Sequence, residues 1–169
     1  MSRNFIEFGL NWRWRAERFR ACSDAPDQTV LGAYAGERAV GFSIMAFGKH
    51  DAHLLLMAVM PRYRRKGVAR AMLNWFEVSM RATGLARTFV ELRTQNENAL
   101  AFYHSAGFRM TAELLNYYDG RENAYRMVRE LSADFGNGEH FYSLPGEQDK
   151  RLVPHSHPAG PKPFDRENS

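Results

Sequence analysis

From Leu54 to Val59 every position is apolar, which predicts one buried strand; Pro61 stops it, and Arg62, Arg64, Arg65 and Lys66 follow before Gly67. Past Gly67 the period changes. Ala69, Leu73, Phe76 and Met80 recur at i, i+4, i+7 and i+11, one apolar stripe of a helix that Gly84 ends. Before this unit, Val30 to Ala35 and Ala39 to Phe47 are two apolar strands joined by Gly36-Glu37-Arg38, and Gly48 to Asp51 turns the chain into the strand at 53 to 59. After it, Arg87 to Leu92 is a further strand. A helix separates it from the strand at 53 to 59, so the two are expected to be parallel, through a right-handed crossover. Asn96 to Ala106 reads as a second helix closed by Gly107, and Phe108 to Tyr118 with Asn123 to Leu131 as a last hairpin across Asp119-Gly120.

The two ends of the chain differ from this middle. Residues 3 to 20 read as a helical region, split near Gly9 and Asn11, with Phe5, Ile6, Leu10 and Trp14 as buried candidates and Arg13, Arg15, Arg18 and Arg20 as a basic face. Trp12 and Trp14 suit a core or a lid better than a stacking surface. Residues 132 to 169 hold five of the seven prolines and few aliphatic residues. Such a stretch buries too little to offset its ordering entropy, and it is expected to be largely disordered. The division is therefore a domain over residues 1–131 and a tail over 132–169. His155-Ser156-His157 in that tail lacks an acidic or cysteine partner at ligand spacing, so no metal is expected.

At 169 residues with 44% hydrophobic content, one domain with its own core is sufficient. A single cysteine, Cys22, excludes an internal disulfide, and no stretch has the make-up of a signal peptide or membrane span, which points to a soluble cytoplasmic protein. The net charge of +4 is uneven: residues 132 to 169 carry four cations and six acids, leaving 19 cations and 13 acids before them. An anionic ligand accounts for part of that excess. Charge alone also admits a nucleic acid or an acidic assembly such as a ribosome.

The anion's place is the strand-turn-helix junction. The first backbone N–H groups of a helix lack internal partners and sit at the positive end of its dipole. Gly67 and Ala69 allow close approach, and Arg64, Arg65, Lys66 and Arg70 surround the spot, so a diphosphate is the natural ligand. The spacing fits neither a P-loop nor a three-glycine dinucleotide fingerprint. In the strand after the helix, alternation sets Glu91 and Arg93 on the face of Phe89, opposite Val90 and Leu92. Glu91 either pairs with an arginine at the surface or, if the two parallel strands part, points into a cleft where it can take a proton from an ammonium.

Arg64-x-x-Gly67-x-Ala69 resembles the Q/R-x-x-G-x-G/A signature of the GNAT N-acetyltransferases, and the stretch from Asn96 through Ala99, Phe102 and Tyr103 to Gly107-Phe108 resembles their N-x-x-A-x-x-[LF]-Y-x-x-x-G-F block. Within that superfamily, Asn116-Tyr117-Tyr118 with Asp119 to Ala124, and Glu91 to Asn96, resemble the RimI-type ribosomal-protein alanine N-acetyltransferases. The resemblance covers about residues 30 to 131. It implies a mixed α/β (α+β) fold, a mostly antiparallel twisted sheet splayed between two parallel central strands and flanked by helices. It also implies acetyl-CoA as cosubstrate, with no metal. Met57, Ala58 and Val59 would offer backbone groups to the pantetheine, Arg65, Lys66, Gly67, Val68, Ala69 and Arg70 would hold the pyrophosphate, and Asn96 would hydrogen-bond the pantetheine arm. Glu91 would accept the amine's proton and Tyr103 would protonate the departing thiolate.

The acetyl group then passes directly to a primary amine, with a protein N-terminus the expected acceptor and a small-molecule amine the alternative; Tyr117 and Tyr118 could line either acceptor pocket. A chain that binds acetyl-CoA without using it, or a nucleic-acid-binding module, are the other readings. The expected assembly is a monomer or homodimer, with neither membrane nor nucleic acid as partner. The family's first edge strand has no counterpart in the sequence, which leaves one edge of the sheet open and hints at a truncated or alternative start.

Overall fold

The computed structural model describes residues 16–131 and 150–154. Its elements run α1 (Ala16–Asp24), β1 (Gln28–Ala35), β2 (Arg38–Phe47), β3 (Asp51–Val59), a 3-10 turn (Pro61–Tyr63), α2 (Val68–Ala82), β4 (Arg87–Arg93), α3 (Glu97–Ser105), β5 (Arg109–Tyr118), β6 (Glu122–Glu130) and β7 (Lys150–Pro154). The strands form a seven-stranded sheet in the order β5-β6-β4-β3-β2-β1-β7. Every pairing is antiparallel except β3 with β4, the pair that α2 connects. The expected mixed fold is what forms, because a helical crossover demands a parallel pair while the short turns at Gly36 and at Asp119-Gly120 permit antiparallel ones. The buried candidates at Phe5, Ile6, Leu10 and Trp14, and the paired histidines His155 and His157, lie outside the described residues.

α2 carries the main core. Val68, Met72, Leu73, Phe76 and Met80 are buried along one face. They pack with Leu31, Val40, Met45, Leu54, Val90 and Met127 from the strands. At about 1.5–3 kcal/mol for each large side chain fully removed from water, this face is enough to fix α2 on the sheet. A smaller cluster on the other face joins Cys22 of α1 to Val30, Ile44 and Leu56.

β3 contributes to both clusters because its register slips. Ile44 pairs with Leu56 and Met45 with Leu54, so Leu55 is an extra residue in β3. A bulge of this kind turns every later side chain to the opposite face. Leu54 accordingly packs beneath α2, whereas Leu55 and Leu56 pack with the α1 cluster. The slip comes just where β3 leaves β4: parallel pairing runs from Asp51–Arg87 to Leu54–Val90 and no further. Beyond that point β3 stays paired to β2 as far as Val59, so the sheet opens into a wedge between its two parallel strands.

Five residues of the segment expected to be disordered form β7. Leu31 pairs with Pro154 and Ala35 with Lys150, and Leu152 packs against the main core. The sheet edge beside β1, which the resemblance leaves without a strand, is thereby covered from Leu31 to Ala35. An uncovered edge exposes a row of unpaired backbone groups, and its hydrogen-bonding capacity suffices to order a short strand that has only Leu152 and Val153 as apolar residues.

Candidate functional site

The wedge opens into a cleft of about 1060 Å³. Its walls come from β3, β4, the start of α2, α3 and the β5–β6 turn. At one end is the turn into α2, where Gly67 is the N-cap with φ 80° and no side chain caps the first turn. A left-handed residue here is what brings the helix N-terminus round to face the cleft, and glycine adopts that conformation without penalty. Arg65 is also left-handed, with φ 58°, so the turn is sharply shaped at two of its positions.

The cations around this turn are placed differently from one another. Arg64 donates from Nε to the carbonyl of Val59 at 3.2 Å, and Arg70 donates from Nη2 to the Ser105 carbonyl at 2.7 Å and its hydroxyl at 3.1 Å. Arg70 thus ties α2 to the end of α3 while still lining the cleft, as do Arg64, Arg65, Gly67, Val68 and Ala69. Lys66 does not line it; its ammonium lies 5.7 Å from the centre of the Tyr63 ring. Met57, Ala58 and Val59 border the cleft along the stretch of β3 that has left β4. Asn96 caps α3, its Oδ1 accepting from the Ala99 N–H at 3.1 Å, which directs its amide nitrogen to any other partner.

At the closed end of the wedge sit Glu91 and two partners. Alternation along β4 buries Val90 and Leu92 under the helices and turns Glu91 to the opposite face. There Glu91 Oε2 meets His53 Nε2, and Glu91 Oε1 accepts from Arg126 Nε at 2.7 Å. Both alternatives read for Glu91 are therefore combined, since it is paired with an arginine and also lines the cleft. Burial alone would raise its pKa, but the hydrogen bond and charge of His53, together with Arg126, outweigh burial and hold the carboxyl below its ordinary value of 4.5.

That direction sets an expectation for stability. A carboxyl that titrates lower when folded adds stability above its unfolded pKa and loses it as pH falls through the folded value. Glu91→Gln should be less stable than the parent at pH 7 by about 1.5–3 kcal/mol, the range for hydrogen bonds to a charged group. The gap should shrink as the pH is taken below about 4.5. Melting curves of both proteins at several pH values check this; a gap that stays constant would mean that the charge of Glu91 contributes nothing.

Tyr103, on the inner face of α3, is 7% exposed and makes edge contacts with Phe102 and Phe108, ring centres 5.2 and 5.3 Å away. Burial first, and the neighbouring Tyr118 second, push its pKa well above the ordinary phenol, so it is a protonated donor at neutral pH. Tyr117 and Tyr118 also line the cleft, at the end of β5, on a register irregularity between Leu114 and Tyr118 where Asn116 has φ 52°. Arg93 grips Glu122 with two hydrogen bonds of 2.6 and 2.5 Å, fixing the base of that turn.

His53 and Arg126 are the functional candidates that reading the sequence passes over. Their partner Glu91 is 38 and 35 residues away along the chain, and the pairing exists only through the registers of β3 with β4 and of β4 with β6. The one signal was a histidine at the start of an apolar run. Among the described residues no group of His, Cys, Asp and Glu could hold a metal, and no helix is long and apolar enough to cross a membrane.

The [Ribosomal protein bS18]-alanine N-acetyltransferase of Escherichia coli (strain K12) is 34% identical over 119 residues, 62% of this chain and 80% of that protein. The crystal structure of the ribosomal-protein-S18-alanine N-acetyltransferase from Escherichia coli superposes with a TM-score of 0.63 at 29% identity, covering 82% of this chain and 89% of the other. The PaiA N-acetyltransferase from Thermoplasma acidophilum, solved in complex with coenzyme A, gives a TM-score of 0.54 at 25% identity over 62% of this chain and 61% of that one. The profile of the acetyltransferase (GNAT) family matches residues 3–108, more than half of the sequence. A strand-turn-helix junction ringed by cations and a parallel pair that parts beside a tyrosine and a carboxylate are thus joined to a family-wide match: the chain is an acyltransferase of the GNAT N-acetyltransferase family.

Proposed function

We propose that the protein transfers an acetyl group from acetyl-CoA directly to the N-terminal amine of a protein, in the cytoplasm. The observation that carries this reading is the wedge between β3 and β4, with the left-handed Gly67 turn at its open end and Glu91 at its closed end. The pyrophosphate of the cosubstrate rests on the first turn of α2, Arg64, Arg65 and Arg70 supply charge, and the pantetheine follows Met57 to Val59 along the free edge of β3 with Asn96 opposite. The thioester then lies between Tyr103 and the Glu91 cluster. Holding thioester and amine together removes most of the entropic barrier to their reaction.

The acceptor class rests on the similarity to an alanine N-acetyltransferase of a ribosomal protein, and on the open acceptor side, where Tyr117 is exposed and Tyr118 half-buried. The buried, sole cysteine, Cys22, fits a reducing compartment. A panel of short peptides with free N-termini, polyamines, amino acids and aminoglycosides, assayed by thiol release from acetyl-CoA, tests the reading. A peptide is expected to be acetylated with the highest kcat/KM. A strong preference for one of the small amines would overturn it.

A further inference from the structure

We propose that His53 is the residue that takes the proton from the incoming ammonium, with Glu91 orienting it and Arg126 orienting Glu91. The proposal rests on the amine acetylation argued above and names the atom at which its first proton lands.

The Glu91 side chain is 5% exposed, whereas those of His53 and Arg126 are 37% and 42% exposed. Both carboxylate oxygens are engaged, one with each partner. An ammonium entering the cleft therefore reaches the imidazole before the carboxylate. His53 belongs to the last stretch of β3 still paired with β4, opposite Phe89, so the fork of the wedge holds it at the point where the two strands part.

The hydrogen-bond chemistry fixes which nitrogen is available. Arginine stays protonated, and a carboxylate that accepts from it and carries its charge is an acceptor on both oxygens. The contact from His53 Nε2 is then an N–H donated to Glu91, and in a neutral ring the lone pair sits on Nδ1. Nδ1 takes one proton from the ammonium, and the ionised Glu91 stabilises the imidazolium that results. The freed amine attacks the thioester carbon; the N–C bond forms and the C–S bond breaks. The sulfur receives its proton from Tyr103, and the second proton shed by the attacking nitrogen restores the tyrosine. The imidazolium returns its proton to solvent, so each turnover yields amide, free thiol and one proton.

His53→Gln keeps an amide able to hydrogen-bond Glu91 but cannot accept a proton, and His53→Ala leaves room for added imidazole. Both are compared with the parent on whichever amine of the panel the parent acetylates fastest. kcat should fall by about a hundredfold in each, the scale of a single general base. The KM for acetyl-CoA and the melting-temperature rise on adding coenzyme A should stay close to the parent's. Imidazole should restore activity to His53→Ala and not to His53→Gln. A His53→Gln variant with kcat within a few-fold of the parent overturns the proposal.

Preference of the parent for a small amine would sink the protein N-terminus as acceptor and leave the comparison of variants intact. If no amine in the panel is turned over, ¹⁵N NMR of the His53 ring in the coenzyme A complex at pH 8 decides the matter. A neutral ring with its proton on Nε2 supports the proposal, and a ring protonated on Nδ1 overturns it.

Discussion

Tyr103→Phe is expected to lower kcat by about a hundredfold or more, the scale of a single proton donor, while leaving the affinity for coenzyme A unchanged. The substitution removes one oxygen and keeps the ring, so the edge contacts with Phe102 and Phe108 persist and the core beneath α3 is undisturbed. What is lost is the proton. A phenol whose pKa burial has raised is reluctant to ionise, and a free thiol near 8.5 is the stronger acid of the two, so complete transfer ahead of bond cleavage is uphill. Donation therefore accompanies C–S cleavage, with the attacking nitrogen returning a proton in the same passage. Stopped-flow measurement of thiol release against binding of coenzyme A by calorimetry separates the two effects. Weakened binding with kcat intact would reassign Tyr103 to packing against the cosubstrate.

The second large effect is expected at Gly67. Gly67→Ala forces a side chain into a backbone with φ 80°, at a cost of about 1–2 kcal/mol for an L-residue, and sets a methyl group where the pyrophosphate must touch backbone N–H groups. The affinity for coenzyme A should drop at least tenfold. At saturating acetyl-CoA much of the turnover should return, because His53, Glu91 and Tyr103 lie away from the turn. Calorimetric titration checks the first statement and kcat at high acetyl-CoA the second. Unchanged affinity would place the pyrophosphate elsewhere.

The extent to which the sequence announces this site depends on whether a feature is local. The turn at Gly67 and the α2 stripe are set by residues within one helix length, and Leu73, Phe76 and Met80 are buried as their spacing predicts. The Glu91 alternation is equally local. The Leu55 bulge is invisible because Leu54, Leu55 and Leu56 are identical, and a slip among identical residues changes no pattern. His53 and Arg126 are invisible for another reason: what makes them functional is a shared partner across three strands, and strand register is fixed by the whole sheet. β7 is illegible in the sequence because five residues in a segment with few aliphatics owe their order to the edge of β1 rather than to their own periodicity.

That last strand also bears on how the chain reaches its fold during synthesis. A ribosome releases β1 through β6 first, and these pair largely with neighbours in sequence, a pattern that permits rapid, stepwise assembly. The partner of β1 on its outer side emerges only after all of them. Until then no other strand among the described residues covers the outer edge of β1 from Leu31 to Ala35, and that edge is able to recruit a strand from another nascent copy. The time for which that edge stays unpaired therefore becomes a determinant of yield.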